Sequence, residues 1–204
     1  MADVVPMTPA GAVLAITALI SHWPGRVRVA IDAAPAADPH ALAASVLAAL
    51  APRPGLHIRA DRFWQPAGIR FESGREDPDA WLDRWLDAQA LRREALDSLV
   101  DAGRVLPGLR DPDTDRSLKA APIDLPETAV LIVSGSALLG RGLPFDISIH
   151  VQLSAAALER RTSPDERWII PALDRYAQRT RPADVADLVL RADDPRHPAL
   201  VRQP

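Results

Sequence analysis

Short apolar segments rich in β-branched residues alternate with longer helical segments along this chain of 204 residues. Segments of this length and composition are typical of buried strands. The predicted strands are VRVAID (Val27 to Asp32), GLHIRAD (Gly55 to Asp61), AVLIVSG (Ala129 to Gly135), DISIHVQL (Asp146 to Leu153) and ADLVLRAD (Ala186 to Asp193). Their alternation with helices predicts an α/β fold with a doubly wound, mainly parallel sheet of about five strands and helices on both faces. Ligands of such folds bind at the carboxyl ends of the strands.

Helices are predicted by the spacing of apolar residues between these strands. One helix is expected over about residues 8–22, and a helical tract is expected over residues 155–179. The segment PHALAASVLAALA predicts another helix, with Asp38 as its N-cap and Pro39 at its first position.

The stretch between residues 77 and 103 carries a stripe of large apolar side chains at helical spacing. Such a stripe favours a core-facing helix over a ligand platform. Its members are Trp81, Leu82, Trp85, Leu86 and Leu91. The Pro-, Gly- and Asp-rich stretch that follows, about residues 105–126, predicts a hairpin or a long connection.

Length and charge limit the classes of protein that fit this sequence. We expect a single domain over residues 1–204, because this length suits one α/β core. A net charge of −3 and a pI near 5.9 argue against nucleic-acid and membrane-surface partners, which call for a basic face. The first apolar run is too short to span a bilayer, and an acid precedes it, so a cytoplasmic protein is expected.

Metal chemistry has little support in the sequence. The chain has no cysteine, and its five histidines lack the spacing of a ligand set, so no metal site is predicted. The remaining partner classes are a small molecule or nucleoside, and a second copy of the chain in a homo-oligomer.

The loop after the first predicted strand has the length of a phosphate-binding loop, G-x-x-x-x-G-K-[ST], without its chemistry. The eight residues are AAPAADPH, of which Ala33, Ala37, Asp38, Pro39 and His40 are the candidate positions for nucleotide contact. Glycines, lysine and hydroxyl are all replaced, and proline supplies no N–H for a phosphate. A carboxylate at about 5 Å from a phosphate charge adds a repulsion of roughly 3 kcal/mol at an effective dielectric constant of about 20.

The order of motifs over about residues 24–200 resembles the uridine kinase-like branch of the P-loop kinases. The quoted segments are RVRVAID, IRADRFWQP, GREDPDAWLDRWLDAQAL, AVLIVSGSALL, DISIHVQL and RYAQRTRPADVADLVL. The resemblance implies that Asp61 is the base that acts on a nucleoside hydroxyl, with Phe63 in the same turn. It also implies that Asp87 binds the sugar.

Further positions follow from the same resemblance. Asp111, with Thr114 and Asp115, falls in the substrate hairpin. Arg160, Arg161 and Arg167 fall where the family has lid arginines that clamp the transferred phosphate. Ser134 stands where the family has an acid that organises magnesium.

Each of these residues also has an ordinary structural explanation. Asp61 fits a capping residue after its strand, and Asp87 fits a solvated helix acid. The arginines fit surface ion pairs, because acids flank them in the sequence.

Two functions therefore remain open, together with a purely structural subunit. The first is a uridine kinase-like protein with an eroded ATP and magnesium site, which binds a ligand or a partner without catalysis and needs no cofactor. The alternative is an ATP- and magnesium-dependent kinase of nucleosides or small molecules, with an atypical loop and Asp61 as base. Phosphoryl transfer depends on positioning and charge neutralisation, so the lost loop and metal ligands favour the first.

Overall fold

A mostly parallel sheet forms the centre of the molecule, for which a computed structural model describes residues 3–202. In this range the sheet has seven strands in the order β1-β9-β8-β7-β2-β6-β3. The five strands from β8 to β3 run parallel, while β9 is antiparallel to β8 and β1 is antiparallel to β9. The strands are β1 Asp3–Pro6, β2 Val27–Ala33, β3 Gly55–Arg59, β4 Arg104–Val105, β5 Ile123–Asp124, β6 Val130–Gly135, β7 Ile147–Gln152, β8 Leu188–Arg191 and β9 Ala199–Arg202.

The predicted α/β class is confirmed, and the five predicted strands are the five parallel ones. The two antiparallel strands β1 and β9 were not predicted, because each has only four residues and proline lies within or beside it. The long connection predicted over residues 105–126 is closed by the antiparallel pair β4 and β5.

Helices cover both faces of the sheet. The predicted N-terminal helix is α1, and the predicted helical tract after β7 is divided, because Thr162 is extended and Pro164 follows it. The helices are α1 Pro9–Ser21, α2 Pro39–Ala49, α3 Ala67–Arg70, α4 Pro78–Arg84, α5 Ala88–Leu91, α6 Ser98–Ala102, α7 Ala155–Arg161, α8 Ile170–Thr180 and α9 Pro182–Val185. Tighter 3₁₀ turns occupy Pro35–Ala37, Ala60–Phe63 and Pro164–Ile169, and wider π-type turns occupy Arg92–Asp97.

The alternation of side chains along the central strands divides the core between the two faces. Val29 and Ile31 of β2 pack with α1 and α2, whereas Ala30 packs on the opposite face with α8. On β6, Leu131 and Val133 pack against α5 and the turns that follow it. Helices therefore cover both faces of the sheet. The accessible part of the sheet is the side at which the parallel strands reach their carboxyl ends.

The stripe of large apolar side chains between residues 77 and 103, which was predicted to face the core, is only partly buried. Leu82, Trp85 and Leu91 are buried, whereas Trp81 and Leu86 are half-buried. No helix in the described part of the chain is long and apolar enough to cross a bilayer.

Candidate functional site

A cavity of about 440 Å³ opens at the carboxyl ends of β2, β3 and β6. Its floor is formed by the loop after β2, by the turn after β3 and by residues 135–137 after β6. We call it the first cavity. Its position is the one expected for a ligand in a doubly wound fold, and its volume suits a small organic molecule.

Four tryptophans line the first cavity: Trp64, Trp81, Trp85 and Trp168. The Trp64 and Trp85 rings meet edge to face with centroids 5.0 Å apart, and the Trp85 and Trp168 rings lie 5.7 Å apart. Sequence reasoning placed Trp81 and Trp85 in a core stripe and gave Trp64 and Trp168 no role. The unusual density of tryptophan after the second predicted strand was the available signal.

Arg70 packs against the aromatic rings of this wall through cation–π contacts. Its guanidinium is buried at 4.8 to 5.0 Å from the ring centroids of Trp64, Phe71 and Trp85. It also donates to the carbonyl of Gln65 and forms an ion pair with Asp115 at 3.2 Å. The wall is thereby tied to the connection that carries Pro112 and Asp113 at the cavity rim.

Several backbone N–H groups of the loop after β2 bond within the protein. The Ala37 N–H donates to the Ala34 carbonyl and the Asp38 N–H donates to the Pro35 carbonyl, each at 2.9 Å. The Asp38 carboxylate accepts the N–H of Ala41 at 3.0 Å, as the predicted N-cap requires. Pro35 and Pro39 have no N–H, so few donors of this loop remain for a phosphate.

Ser134 and two histidines form a hydrogen-bonded cluster beneath the first cavity. The Ser134 Oγ lies 2.6 Å from Nδ1 of His40 and 2.7 Å from Nε2 of His57, and Ser134 is completely buried. Because a hydroxyl donates one hydrogen, one imidazole accepts from Ser134 while the other donates to it. The cluster joins β6, β3 and the start of α2.

Both histidines of the cluster are held neutral near pH 7. Burial, assisted by His40 and Arg59, lowers the pKa of His57 to about 4. Burial also lowers the pKa of His40, against the opposing effect of the Asp61 carboxylate. A neutral pair suits the shared hydroxyl, because two imidazolium rings would both donate and leave the Ser134 hydrogen without an acceptor.

Asp61 lines the first cavity but is already paired. The Arg59 guanidinium grips its carboxylate, with Nε 3.1 and 3.2 Å from the two oxygens, and His40 Nε2 lies 3.9 Å from it. The pairing offsets the negative charge and engages both carboxylate oxygens. The predicted role of Asp61 as a base stays a prediction.

The other acceptor-side candidates lie outside the lining of the first cavity. Phe63 is completely buried in the core, and Asp87 caps α5 by accepting the Ala90 N–H at 2.9 Å. Asp111 accepts the backbone N–H of Thr114 at 2.8 Å within an exposed turn. Each of them therefore has a structural role in this fold.

The three arginines that the resemblance placed in a lid either make structural contacts or are exposed to solvent. Arg161 donates to the Ala192 carbonyl at 2.6 Å, and Arg160 donates to the Asp193 carbonyl at 3.3 Å, so both tie α7 to the end of β8. Arg167 is exposed, while its neighbours Glu166 and Trp168 line the first cavity. Of the loop candidates, Pro39 and His40 line the first cavity and Ala33 lines a second one.

Solved structures with a similar fold are known. A protein described as a possible uridine kinase from Bacillus stearothermophilus superposes with a TM-score of 0.73 at 17% identity, over 88% of this chain and 97% of that one. A candidate fructose transport system kinase from Silicibacter sp. TM1040 gives a TM-score of 0.64 at 25% identity, over 90% and 98%. The protein YGR205w gives a TM-score of 0.64 at 12% identity, over 97% and 100%.

Neither the models of known protein families nor the curated protein sequences match this sequence. The similarity to solved structures nevertheless confirms the predicted fold. The chain shares the mostly parallel α/β fold of these structures, one of which is described as a possible uridine kinase.

The Asp38 cap allows a stability test. We expect Asp38→Ala to lower the free energy of unfolding by about 1 kcal/mol, because the Ala41 N–H loses its acceptor. Asp38→Gly should cost less, because Asp38 has a φ of 51° that glycine adopts without strain. Chemical denaturation measures both, with Asp38→Asn as the control that keeps an acceptor. An unchanged denaturation midpoint for Asp38→Ala would contradict this role.

The His57 environment allows a test by pH. Because the pKa of His57 is lower when folded, the unfolded chain binds more protons between about pH 6.5 and 4, and stability should fall as the pH falls through this window. His57→Gln keeps a group near Ser134 but does not titrate, so its stability should fall less steeply with acid. Denaturation at a series of pH values measures this, and identical slopes for the two proteins would refute the prediction.

Proposed function

We propose that this protein is a uridine kinase-like fold that binds a small organic ligand in the first cavity and does not transfer phosphate. The observation that carries the proposal is the 2.6 Å contact between His40 and Ser134. These residues stand where the resemblance places a loop hydroxyl and an acid that organise magnesium. A direct hydrogen bond between them leaves no room for an ion coordinated by both.

The loop supports the same proposal. A magnesium-bound triphosphate needs converging N–H groups and a positive charge, whereas here the N–H groups of Ala37, Asp38 and Ala41 bond within the protein. The Asp38 carboxylate adds a negative charge at the helix start where a phosphate would lie. The residues present therefore do not fit ATP with magnesium, and no step of the proposed function involves them.

The first cavity supplies the binding chemistry. Its tryptophan faces can stack on a sugar or base ring, and the cavity keeps polar atoms of Asp61, His40 and Arg59 at one end. Because Arg59 pairs with Asp61 and His40 is neutral, this end suits hydroxyl or amide groups better than a phosphate. A nucleoside or a sugar of similar size matches these features.

A second candidate function is an ATP-dependent kinase of a nucleoside or small molecule, with Asp61 as base. The position of Asp61 on the cavity wall favours it, and two of the similar structures carry kinase descriptions. It requires Arg59 to release the Asp61 carboxylate and the loop to open.

The two functions differ in their response to ATP. We expect millimolar ATP with magnesium to leave the melting temperature unchanged, because a ligand stabilises a protein only through affinity for its folded state. A thermal-shift assay with ATP, with and without magnesium, makes the comparison. A rise of several degrees that EDTA abolishes would contradict the proposal and favour the kinase.

Ligand binding has a direct optical readout. We expect uridine, adenosine or fructose to change the tryptophan fluorescence of the protein saturably, because four of the five tryptophans line the first cavity. Trp168→Phe should reduce the signal change, whereas Trp23→Phe, outside the cavity, should preserve it. If none of the three ligands changes the fluorescence, binding of nucleosides and sugars is refuted.

A further inference from the structure

A buried carboxylate lies between the first cavity and a second one. Asp32, the penultimate residue of β2, is completely buried. One of its oxygens accepts the Leu138 N–H at 2.8 Å, and the other accepts from His150 Nδ1 at 2.7 Å and from the Tyr176 hydroxyl at 3.0 Å. Burial, together with Asp32, raises the pKa of Tyr176, so that its hydroxyl remains a donor.

The contact with Asp32 fixes the tautomer of His150. A carboxylate accepts hydrogen bonds, so Nδ1 is the donor of this contact, and in the Nδ1–H tautomer Nε2 is the acceptor of the ring. Among residues 3–202, Nε2 makes no hydrogen bond. His150 is only 8% exposed, and it lines the second cavity.

The second cavity has a volume of about 400 Å³ and lies between the end of β7, α7 and the α8–α9 corner. Leu153, Leu158 and Leu173 supply apolar walls, and Ala137 borders both cavities. This volume and an apolar lining with few polar groups are typical of small-molecule sites.

The charges at the second cavity favour a cation. Arg181 and Asp184 form an ion pair with each other on its wall. Asp174 also lies on the wall, exposed, and makes no ion pair or hydrogen bond within the described residues. Two acceptors on the wall of the second cavity are thus without a hydrogen-bond partner among the described residues: the Asp174 carboxylate and Nε2 of His150.

We infer that the second cavity binds a small organic amine. Its ammonium group donates to Nε2 of His150 in the negative field of Asp174, and its apolar body packs against Leu153, Leu158 and Leu173. This inference concerns a separate site and does not rest on the function proposed for the first cavity.

Three probes with the same phenylethyl body test the charge preference: phenethylamine, 2-phenylethanol and 3-phenylpropanoate. Titrations at pH 7 are followed by the ¹H–¹⁵N NMR spectrum, in which the amides of Val151, Leu153 and Ala177 report on the second cavity. We expect saturable shifts at these amides with phenethylamine, an affinity for the alcohol lower by at least about three-fold, and no saturation with the carboxylate.

Two substitutions assign the effect to the proposed groups. Asp174→Asn should weaken phenethylamine binding about three-fold and leave the alcohol unaffected, because it removes only an exposed charge. His150→Asn keeps an amide donor for Asp32 but removes Nε2, so it should weaken both amine and alcohol. Asp101→Asn, an exposed acid on α6 away from the cavity, is the matched control and should change neither.

The inference is overturned by any of four results. These are no saturable binding of phenethylamine, equal affinity for all three probes, tightest binding of the carboxylate, or shifts confined to the first cavity. Asp174 is exposed, so its variant keeps the test decisive even where His150→Asn does not fold.

Discussion

The hydroxyl of Ser134 connects three elements on which the first cavity depends. It bonds to His57 on β3 and to His40 at the start of α2, while Ser134 itself lies near the end of β6. The contact draws the start of α2 against the sheet beneath the first cavity. Burial lowers the pKa of both histidines, so the cluster is neutral, and in the proposed function it takes the place of an ion-binding centre.

The loop and the cluster are mutually consistent. The residues Pro35–Ala37 form a tight 3₁₀ turn, in which the N–H groups of Ala37 and Asp38 bond to the carbonyls of Ala34 and Pro35. Asp38 then caps α2 in a left-handed conformation. These contacts satisfy the N–H groups of Ala37, Asp38 and Ala41 within the protein. The tryptophan wall of the first cavity packs against Arg70 and shares none of these contacts.

The fold was predictable because it rests on local patterns. The five parallel strands are apolar runs, and the Asp38 cap joins two residues only three positions apart, so both follow from the sequence alone. The contacts of the site could not be predicted in this way, because they join distant positions. Ser134 lies 94 residues from His40 and 77 residues from His57 in the sequence. Asp32 looked like an ordinary strand residue, yet its partners are 106 to 144 residues away. Asp87, Arg160 and Arg161 were matched by motif position, and their neighbours in space could not be read from the sequence.

We propose that the hydrogen-bonded cluster takes the place of a magnesium site, and imidazole ¹⁵N NMR tests this proposal most directly. At pH 7 the account predicts two neutral rings, in which the nitrogen facing Ser134 is protonated in one and unprotonated in the other. Addition of ATP with magnesium should leave all four ¹⁵N shifts of His40 and His57 unchanged. A charged ring at pH 7, or shifts of the Ser134-facing nitrogens that saturate with magnesium and ATP, would contradict it.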